Sequence, residues 1–427
     1  MGIQQLTVNN FRSFQRATWT PGALNLVVGP NGSGKSNLLR CLEFISIAAR
    51  GELERTFSER GLIPFLWNYS GPSLSWQVRL DPVDAERDLA RDALTFELEL
   101  KQVHTSGYDI TKDSLGNWYK FQRKEEASPY WIYKRDSNVA MLFDQPQQRL
   151  VRLSELDSEH PEGYEPNESL LSQIADTRNR IPLATRRSIE GWNIFHDVHV
   201  EQDSPIRKPA SAQFTKRLRW DASNLVTVMH TLFSYHREFK RQVEEGMSAA
   251  FGGEFEELVF QVVSAGQIQL AVQWRSSSQP HSAADLSDGT LRFLFLLTVL
   301  CNPEPASVIA IDEPEAGLHP SMLPILAEYA YAAAERSQVV MTSHSPEFLD
   351  AFTRLSPTVT ICHWEAGEST LHTLPAGSLD VWLRDYRLGQ LFTRGDLEAL
   401  LLPAVEAVPA NAGSPTLPSQ LDQPTSS

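Results

Sequence analysis

Residues 29–36 read Gly29-Pro30-Asn31-Gly32-Ser33-Gly34-Lys35-Ser36, and the reading of the fold starts from this stretch. It satisfies the phosphate-loop pattern G-x-x-x-x-G-K-[ST] at every fixed position. Its glycines allow a tight turn whose successive N–H groups point inward and form a nest for an anion. Lys35 supplies a point charge for the β- and γ-phosphates of a nucleotide, and the Ser36 hydroxyl suits Mg²⁺. Upstream, Leu24-Asn25-Leu26-Val27-Val28 is a short apolar run that predicts a strand. Downstream, Asn37 to Ile47 predicts a helix whose positive N-terminal end faces the phosphates. A glycine-rich turn without a ligand is the bland alternative, and the strand–loop–helix order argues against it. Asn31, Gly32, Ser33, Gly34, Lys35, Ser36 and Asn37 are therefore candidate nucleotide-binding residues, with Lys35 also a candidate catalytic group.

The rest of the composition bounds the possibilities. The chain has 427 residues, 41% of them hydrophobic, and a formal net charge of −15. That is enough for two or three domains, or for one core carrying a large insertion. The acidic balance argues against general nucleic-acid coating but leaves room for a local basic groove. Cys41, Cys301 and Cys362 are far apart and form no C-x-x-C pair, so they read as buried reduced thiols. Met1 to Asn10 is polar and strand-like, unlike a signal peptide. The apolar run Phe293 to Cys301 is far below the ~20 residues of a bilayer span. A soluble cytoplasmic protein with no membrane partner is expected.

Along the chain, Ile3 to Val8 and Arg16 to Trp19 predict strands, with a turn at Pro21-Gly22. Leu74 to Leu80 and Leu94 to Val103 alternate as strands, and Trp118 to Gln122 and Tyr130 to Tyr133 add two more. Together they predict an antiparallel sheet beside the nucleotide core. Glu155 to Glu168 reads as an acidic loop, Ser169 to Ala175 as a helical start and Asn224 to Val243 as one helix. Strands are expected at Leu258 to Val263 and Ile268 to Trp274. Regular α/β alternation then resumes through Thr358 to Cys362. From about Pro403 the composition reads as a disordered tail, 403–427.

Ser307-Val308-Ile309-Ala310-Ile311-Asp312-Glu313-Pro314 is the second strong signal. Its apolar run suits a strand buried on both faces of a parallel sheet. It ends in two adjacent carboxylates at the edge where such sheets bind ligands. Paired with the phosphate loop, Asp312 is the candidate Mg²⁺ ligand together with Ser36, and Glu313 the candidate general base for an attacking water. A solvated acidic turn is the alternative for this stretch alone.

Three further pieces define a family. Leu286-Ser287-Asp288-Gly289-Thr290-Leu291-Arg292 resembles the signature loop of ABC-type ATPases, commonly L-S-G-G-Q. Thr342-Ser343-His344-Ser345 resembles their switch histidine, and Ala316-Gly317-Leu318-His319-Pro320 their D-loop. Asn10-Phe11-Arg12-Ser13-Phe14 is similar to the opening N-F-[KR]-S-[FY] of SMC- and RecF-type heads. The resemblance implies ATP-dependent head-to-head dimerisation. Ser287 and Gly289 of one chain would close over Lys35 and Ser36 of another, with His344 sensing the γ-phosphate and Arg12 and Ser13 beside the nucleotide. Asp288 and Thr290 depart from the pattern. A carboxylate near a γ-phosphate repels it unless paired or turned away, so Asp288 is expected to face a partner backbone or solvent. No Q-loop glutamine stands out, and Gln77 reads as a strand residue.

About 250 residues separate Ser36 from Leu286, a gap too long for a transporter and without the heptads of SMC coiled coil. A RecF-like stand-alone head with a compact lid is the best match, related to the ATPase part of overcoming-lysogenization-defect nucleases. The expected fold is α/β: an ABC-ATPase-type phosphate-loop head (1–135 and 254–392) with an antiparallel β subdomain and a large inserted helical lid (136–253). No D-x-D pair follows His344, so no nuclease is expected in this chain, and a separate nuclease or effector partner fits instead. Arg178, Arg180, Arg186, Arg187, Arg207, Lys208, Lys216, Arg217 and Arg219, with Trp192 and Trp220, form a candidate DNA surface in the lid. A solvated or dimer-facing charged surface is the alternative. The expected function is a Mg-ATP-dependent ATPase homodimer coupled to DNA repair or phage defence. The alternative is an ATP-gated scaffold with little hydrolysis.

Overall fold

The computed structural model describes residues 1–58, 61–82, 93–103, 107–117, 130–136, 139–144, 147–153, 164–175, 179–264, 266–375 and 377–400. The strand expected at Trp118 to Gln122, Arg178, most of the acidic loop and the 403–427 tail lie outside them. In chain order the strands are β1 (Ile3–Phe11), β2 (Phe14–Trp19), β3 (Leu24–Val28), β4 (Ser73–Leu80), β5 (Leu94–Val103), β6 (Gly107–Asn117), β7 (Tyr130–Asp136), β8 (Val139–Asp144) and β9 (Arg149–Arg152). Then come β10 (Asn193–Phe195), β11 (Ala210–Ser211), β12 (Phe255–Ser264), β13 (Gln267–Trp274), β14 (His281–Ser282), β15 (Val308–Ile311), β16 (Gln338–Ser343), β17 (Thr358–Glu365) and β18 (Glu368–Thr373).

The central sheet runs β10-β15-β16-β3-β17-β18 and is parallel except for the last pair. Its strands β3, β15 and β16 are buried throughout, as continuous apolar runs in a covered parallel sheet require. Alternation along each strand divides the sheet between two cores. Leu26, Val28, Ile309, Ile311, Val339 and Met341 pack into the core that includes Leu291, Leu294, Leu326 and Val228. Val27, Val308, Ala310 and Val340 face the other core, with Leu38, Leu42 and Ile45 of the helix Lys35–Arg50. That helix lies between the central sheet and an antiparallel sheet of order β2-β1-β4-β5-β6-β7-β8-β9. Strand β4 shows why the sheet forms: Leu74, Trp76, Val78 and Leu80 are buried while the residues between them are half-exposed.

The stretch 136–253 is more entangled with the head than a separate lid. Strands β8 and β9 continue the antiparallel sheet, and β10 is the edge strand of the central sheet. The helix expected over Asn224 to Val243 is two, Leu225–Tyr235 and Arg237–Phe251, with His236 extended between them. The break returns Phe239, Val243 and Met247 to the core that already holds Leu225, Val228 and Leu232. One unbroken helix would have carried them past it.

Candidate nucleotide site

The carboxyl ends of β3, β15 and β16 lie side by side, with Val28 in register with Ser343, and Ile311 with Met341. The phosphate loop, the acidic pair and His344 therefore emerge along one edge of the sheet, where open α/β sheets bind ligands. Gly32 and Gly34 adopt left-handed φ of 79° and 109°. At Gly34 a Cβ would also collide with Ser369 Oγ and sit 2.9 Å from Ser13 Oγ. The β1–β2 turn therefore closes directly on the loop. Ser13 Oγ accepts from Asn37 Nδ2 at 2.8 Å, and the Arg12 N–H donates to Phe65 O at 2.8 Å. Ser13 and Asn37 thus stand together beside the loop, while the Arg12 guanidinium lies over the Phe65 ring, 5.4 Å from its centroid. Asn31, Gly32 and Ser36 are exposed and Ser33 is buried.

Lys35 is buried, and its Nζ donates to Gly29 O at 2.8 Å and Pro30 O at 3.0 Å. Burial lowers its pKa, while the nearby carboxylates, Glu313 foremost and then Asp312 and Glu315, oppose that shift. Lys35 therefore sits within electrostatic reach of the acidic pair although 277 or more positions separate them in sequence. Ser36 and Asp312 offer only oxygen donors, and Asp312 Oδ1 is held by the Thr342 hydroxyl. That donor set fits a hard cation such as Mg²⁺.

Thr342 is fully buried and links the Asp312 carboxylate to the Glu313 backbone: its Oγ1 donates to Asp312 and accepts from the Glu313 N–H at 3.0 Å. Glu313 has a left-handed φ of 43°, which in a non-glycine residue costs about 1–3 kcal/mol and is sustained by its surroundings. His344 Nδ1 lies 2.8 Å from Glu313 Oε1. Glu315, two residues on, is bound by the Ser343 hydroxyl. Burial raises the pKa of Glu315 against that bond, and its Oε2 is buried without a hydrogen-bond partner.

The signature-like loop is a separate feature. Ser287 caps the helix Asp288–Leu300, its Oγ accepting from the Thr290 N–H at 3.2 Å and lying 2.8 Å from Thr290 Oγ1. Thr290 thus completes the cap. A Cβ on Gly289 would lie 2.7 Å from Gly317 O, so Gly289 is where the loop backs onto the D-loop backbone. Asp288 pairs with Arg207, a partner the sequence reading did not foresee.

Arg207 also corrects the candidate DNA surface. It is 5% exposed and holds the backbone carbonyls of Val200 and of Leu286, just before Ser287. It cannot also contact phosphates. Trp192 is buried, Lys216 is paired with Glu304 and Arg186 with Glu190. Arg180, Arg187, Lys208, Arg217, Arg219 and Trp220 are exposed. Gln77 is a strand residue of β4 bonded to Glu97. The sequence reading missed Thr342, which lies inside a stretch it quoted, and Glu315, which falls between two of them. It also missed His196, which follows β10 beside Asp312 and bonds Glu43 of the phosphate-loop helix at 3.0 Å. Further along the chain, Gly389 docks on the helix Pro346–Ala351 that follows His344. The Gly389 N–H donates to Asp350 at 2.9 Å, and a Cβ there would collide with the Pro346 carbonyl.

Residues 24–350 match the family described as AAA domain, putative AbiEii toxin, Type IV TA system. The chain belongs to this family. The DNA replication and repair protein RecF of Moorella thermoacetica is 44% identical over 50 residues, 11% of this chain and 13% of that protein. RecF of Clavibacter sepedonicus is 31% identical over 114 residues, 25% of this chain and 28% of that one. The matches thus span well under a third of either relative. Among solved structures, an SMC head bound to the C-winged helix domain of ScpA superposes with a TM-score of 0.54. It is 14% identical and covers 89% of this chain and 100% of that one, a likeness of fold. By family and by fold the chain is a RecF/SMC-like, ABC-type head.

Proposed function

We propose that two copies of this head close around two Mg-ATP molecules and hydrolyse them. The observation that carries the reading is the Asp312–Thr342–Glu313–His344 cluster on one sheet edge, within electrostatic reach of Lys35. The loop from Asn31 to Ser36, with Asn37, Arg12 and Ser13 beside it, cradles the nucleotide. Mg²⁺, held by Ser36 and Asp312, would offset charge on the β- and γ-phosphates. Glu313 takes a proton from water as its oxygen attacks the γ-phosphorus and the bond to the β–γ bridging oxygen breaks, leaving ADP and phosphate. Through Nδ1, His344 holds the Glu313 carboxylate in place and senses the γ-phosphate. Ser287 and Gly289 of the second copy complete the site with a hydroxyl and a helix N-terminus.

Removing the base costs about 10²–10⁴-fold in such chemistry. Glu313→Gln is therefore expected to lose turnover in that range and to accumulate as an ATP-bound dimer in size-exclusion chromatography, and Ser287→Arg to block that dimer. Unchanged turnover in Glu313→Gln removes the catalytic assignment. ATP-dependent dimers with negligible turnover in the wild type instead establish an ATP-gated scaffold. We place the protein in the cytoplasm. Among the described residues no helix is long and apolar enough to cross a membrane. DNA is the proposed macromolecular partner, contacted by exposed Arg187, Lys208, Arg217, Arg219 and Trp220, with coupling to repair or phage defence through a separate nuclease or effector. Turnover with and without DNA tests this part.

A further inference from the structure

Arg207 belongs to the inserted stretch, yet its guanidinium is spent on the signature loop. Its Nη1 donates to Ala283 O and Ala284 O at 3.1 Å and to Leu286 O at 2.7 Å, and its Nη2 binds Asp288. Its Nε donates to Val200 O at 2.7 Å and Glu201 O at 3.1 Å. The side chain therefore grips the residue before Ser287 and the residue after it, and anchors both to residues 200–201. Only a fork of five fixed donors can satisfy these acceptors together. A mere surface ion pair would be exposed at both ends, whereas Arg207 is 5% exposed.

We infer that Arg207 is a positioning residue that shapes the signature loop for the nucleotide held by the second copy; this rests on the head-to-head reading above. Arg207 makes no hydrogen bond to the phosphate loop among the described residues, so its effect belongs to the composite site. It also explains the Asp288 departure from the family pattern. The carboxylate is neutralised by an arginine of its own chain before it meets a phosphate.

The test uses full-length protein in mixed dimers. Arg207→Gln and Arg207→Lys are each expected to lower turnover at least ~30-fold while nucleotide binding to the single copy stays unchanged. Lysine does not rescue, because one ammonium cannot span the carbonyls and Asp288. Mixing Arg207→Gln with Lys35→Ala pairs an intact phosphate loop with an intact signature loop at one of two sites, and turnover returns. A mixture that stays inactive, while Ser287→Arg mixed with Lys35→Ala recovers, overturns the inference. A Ser287→Arg mixture that does not recover refutes the head-to-head reading itself, and the inference falls with it. Should Arg207→Gln fail to fold, Asp288→Asn, on an exposed side chain, is expected to show the same complementation with a smaller loss. Wild-type turnover in Asp288→Asn counts against the inference.

Discussion

Thr342 is the sharpest place to perturb the site, because one hydroxyl holds the Asp312 carboxylate and the Glu313 backbone together. In Thr342→Val the volume stays and the hydroxyl goes, leaving an oxygen of Asp312 and the Glu313 N–H without that partner in a buried place. Each orphaned group costs about 1–3 kcal/mol. The Glu313 backbone, at φ 43°, loses a bond that holds it in a strained region. Relaxation there withdraws the Glu313 carboxylate from its 2.8 Å contact with His344. A loss of about 2–4 kcal/mol in transition-state positioning corresponds to a fall in turnover of about 30- to 1,000-fold. Nucleotide affinity of the phosphate loop is expected to stay close to wild type, since Thr342 does not touch it. Steady-state ATP turnover and equilibrium binding of a fluorescent ATP analogue read the two effects separately. Thr342→Ser, which keeps the hydroxyl, is expected to restore most of the rate. Turnover within about threefold of wild type in Thr342→Val refutes the reasoning.

Other substitutions probe other parts of the same argument. Gly34→Ala forces a side chain into φ 109° and onto Ser369 Oγ, so nucleotide binding by isothermal titration is expected to fall at least ~10-fold; unchanged affinity would show that the loop does not need this shape. In the antiparallel sheet, burial pushes fully buried Asp113 up to about 6 from 3.8, against hydrogen bonds from Leu170, Ser169 and Tyr133. Its folded pKa is raised, so its stabilising contribution is full below the unfolded value and is lost as pH rises through about 6. Wild type should therefore lose more thermal stability between about pH 5 and 7.5 than Asp113→Asn does, and parallel melting profiles for the two proteins contradict the assignment.

The parts of the site that could be read beforehand are those written locally. A glycine loop needs its residues adjacent, and a buried parallel strand shows as an unbroken apolar run, so Gly29 to Ser36 and Val308 to Glu313 stood out. The parts that could not be read depend on where distant segments meet. A three-residue edge strand such as β10 has no period to detect. Strand β6 hides its alternation behind buried Asp113 and Ser114. Arg207 counts as one more basic residue because nothing local separates a cation bound for solvent from one bound for five carbonyls. The helix pattern Asn224 to Val243 ran through His236 because apolar spacing resumes after the break. Only the packing of Phe239 and Val243 against the earlier turn shows why the chain bends there.

The stretch from Phe195 to Arg207 gives the long gap between phosphate loop and signature loop a physical role. Phe195 O accepts the N–H of Asp312 at 2.9 Å. His196 bonds Glu43 on the phosphate-loop helix. Val198 O accepts from Arg292, on the signature helix, at 3.4 Å, and Arg207 grips Leu286 and Asp288. A stretch of thirteen consecutive residues therefore reaches the strand that ends in Asp312, the phosphate-loop helix and the signature-like loop in turn. These contacts are hydrogen bonds and ion pairs in a partly buried layer, where an unmade partner is costly. A shift of this stretch would therefore disturb all three parts together. In the proposed head-to-head dimer, whatever acts on the inserted region would have a route to both halves of the site, and a nucleotide closing that site would act back on the insertion by the same free energy, since such coupling is reciprocal.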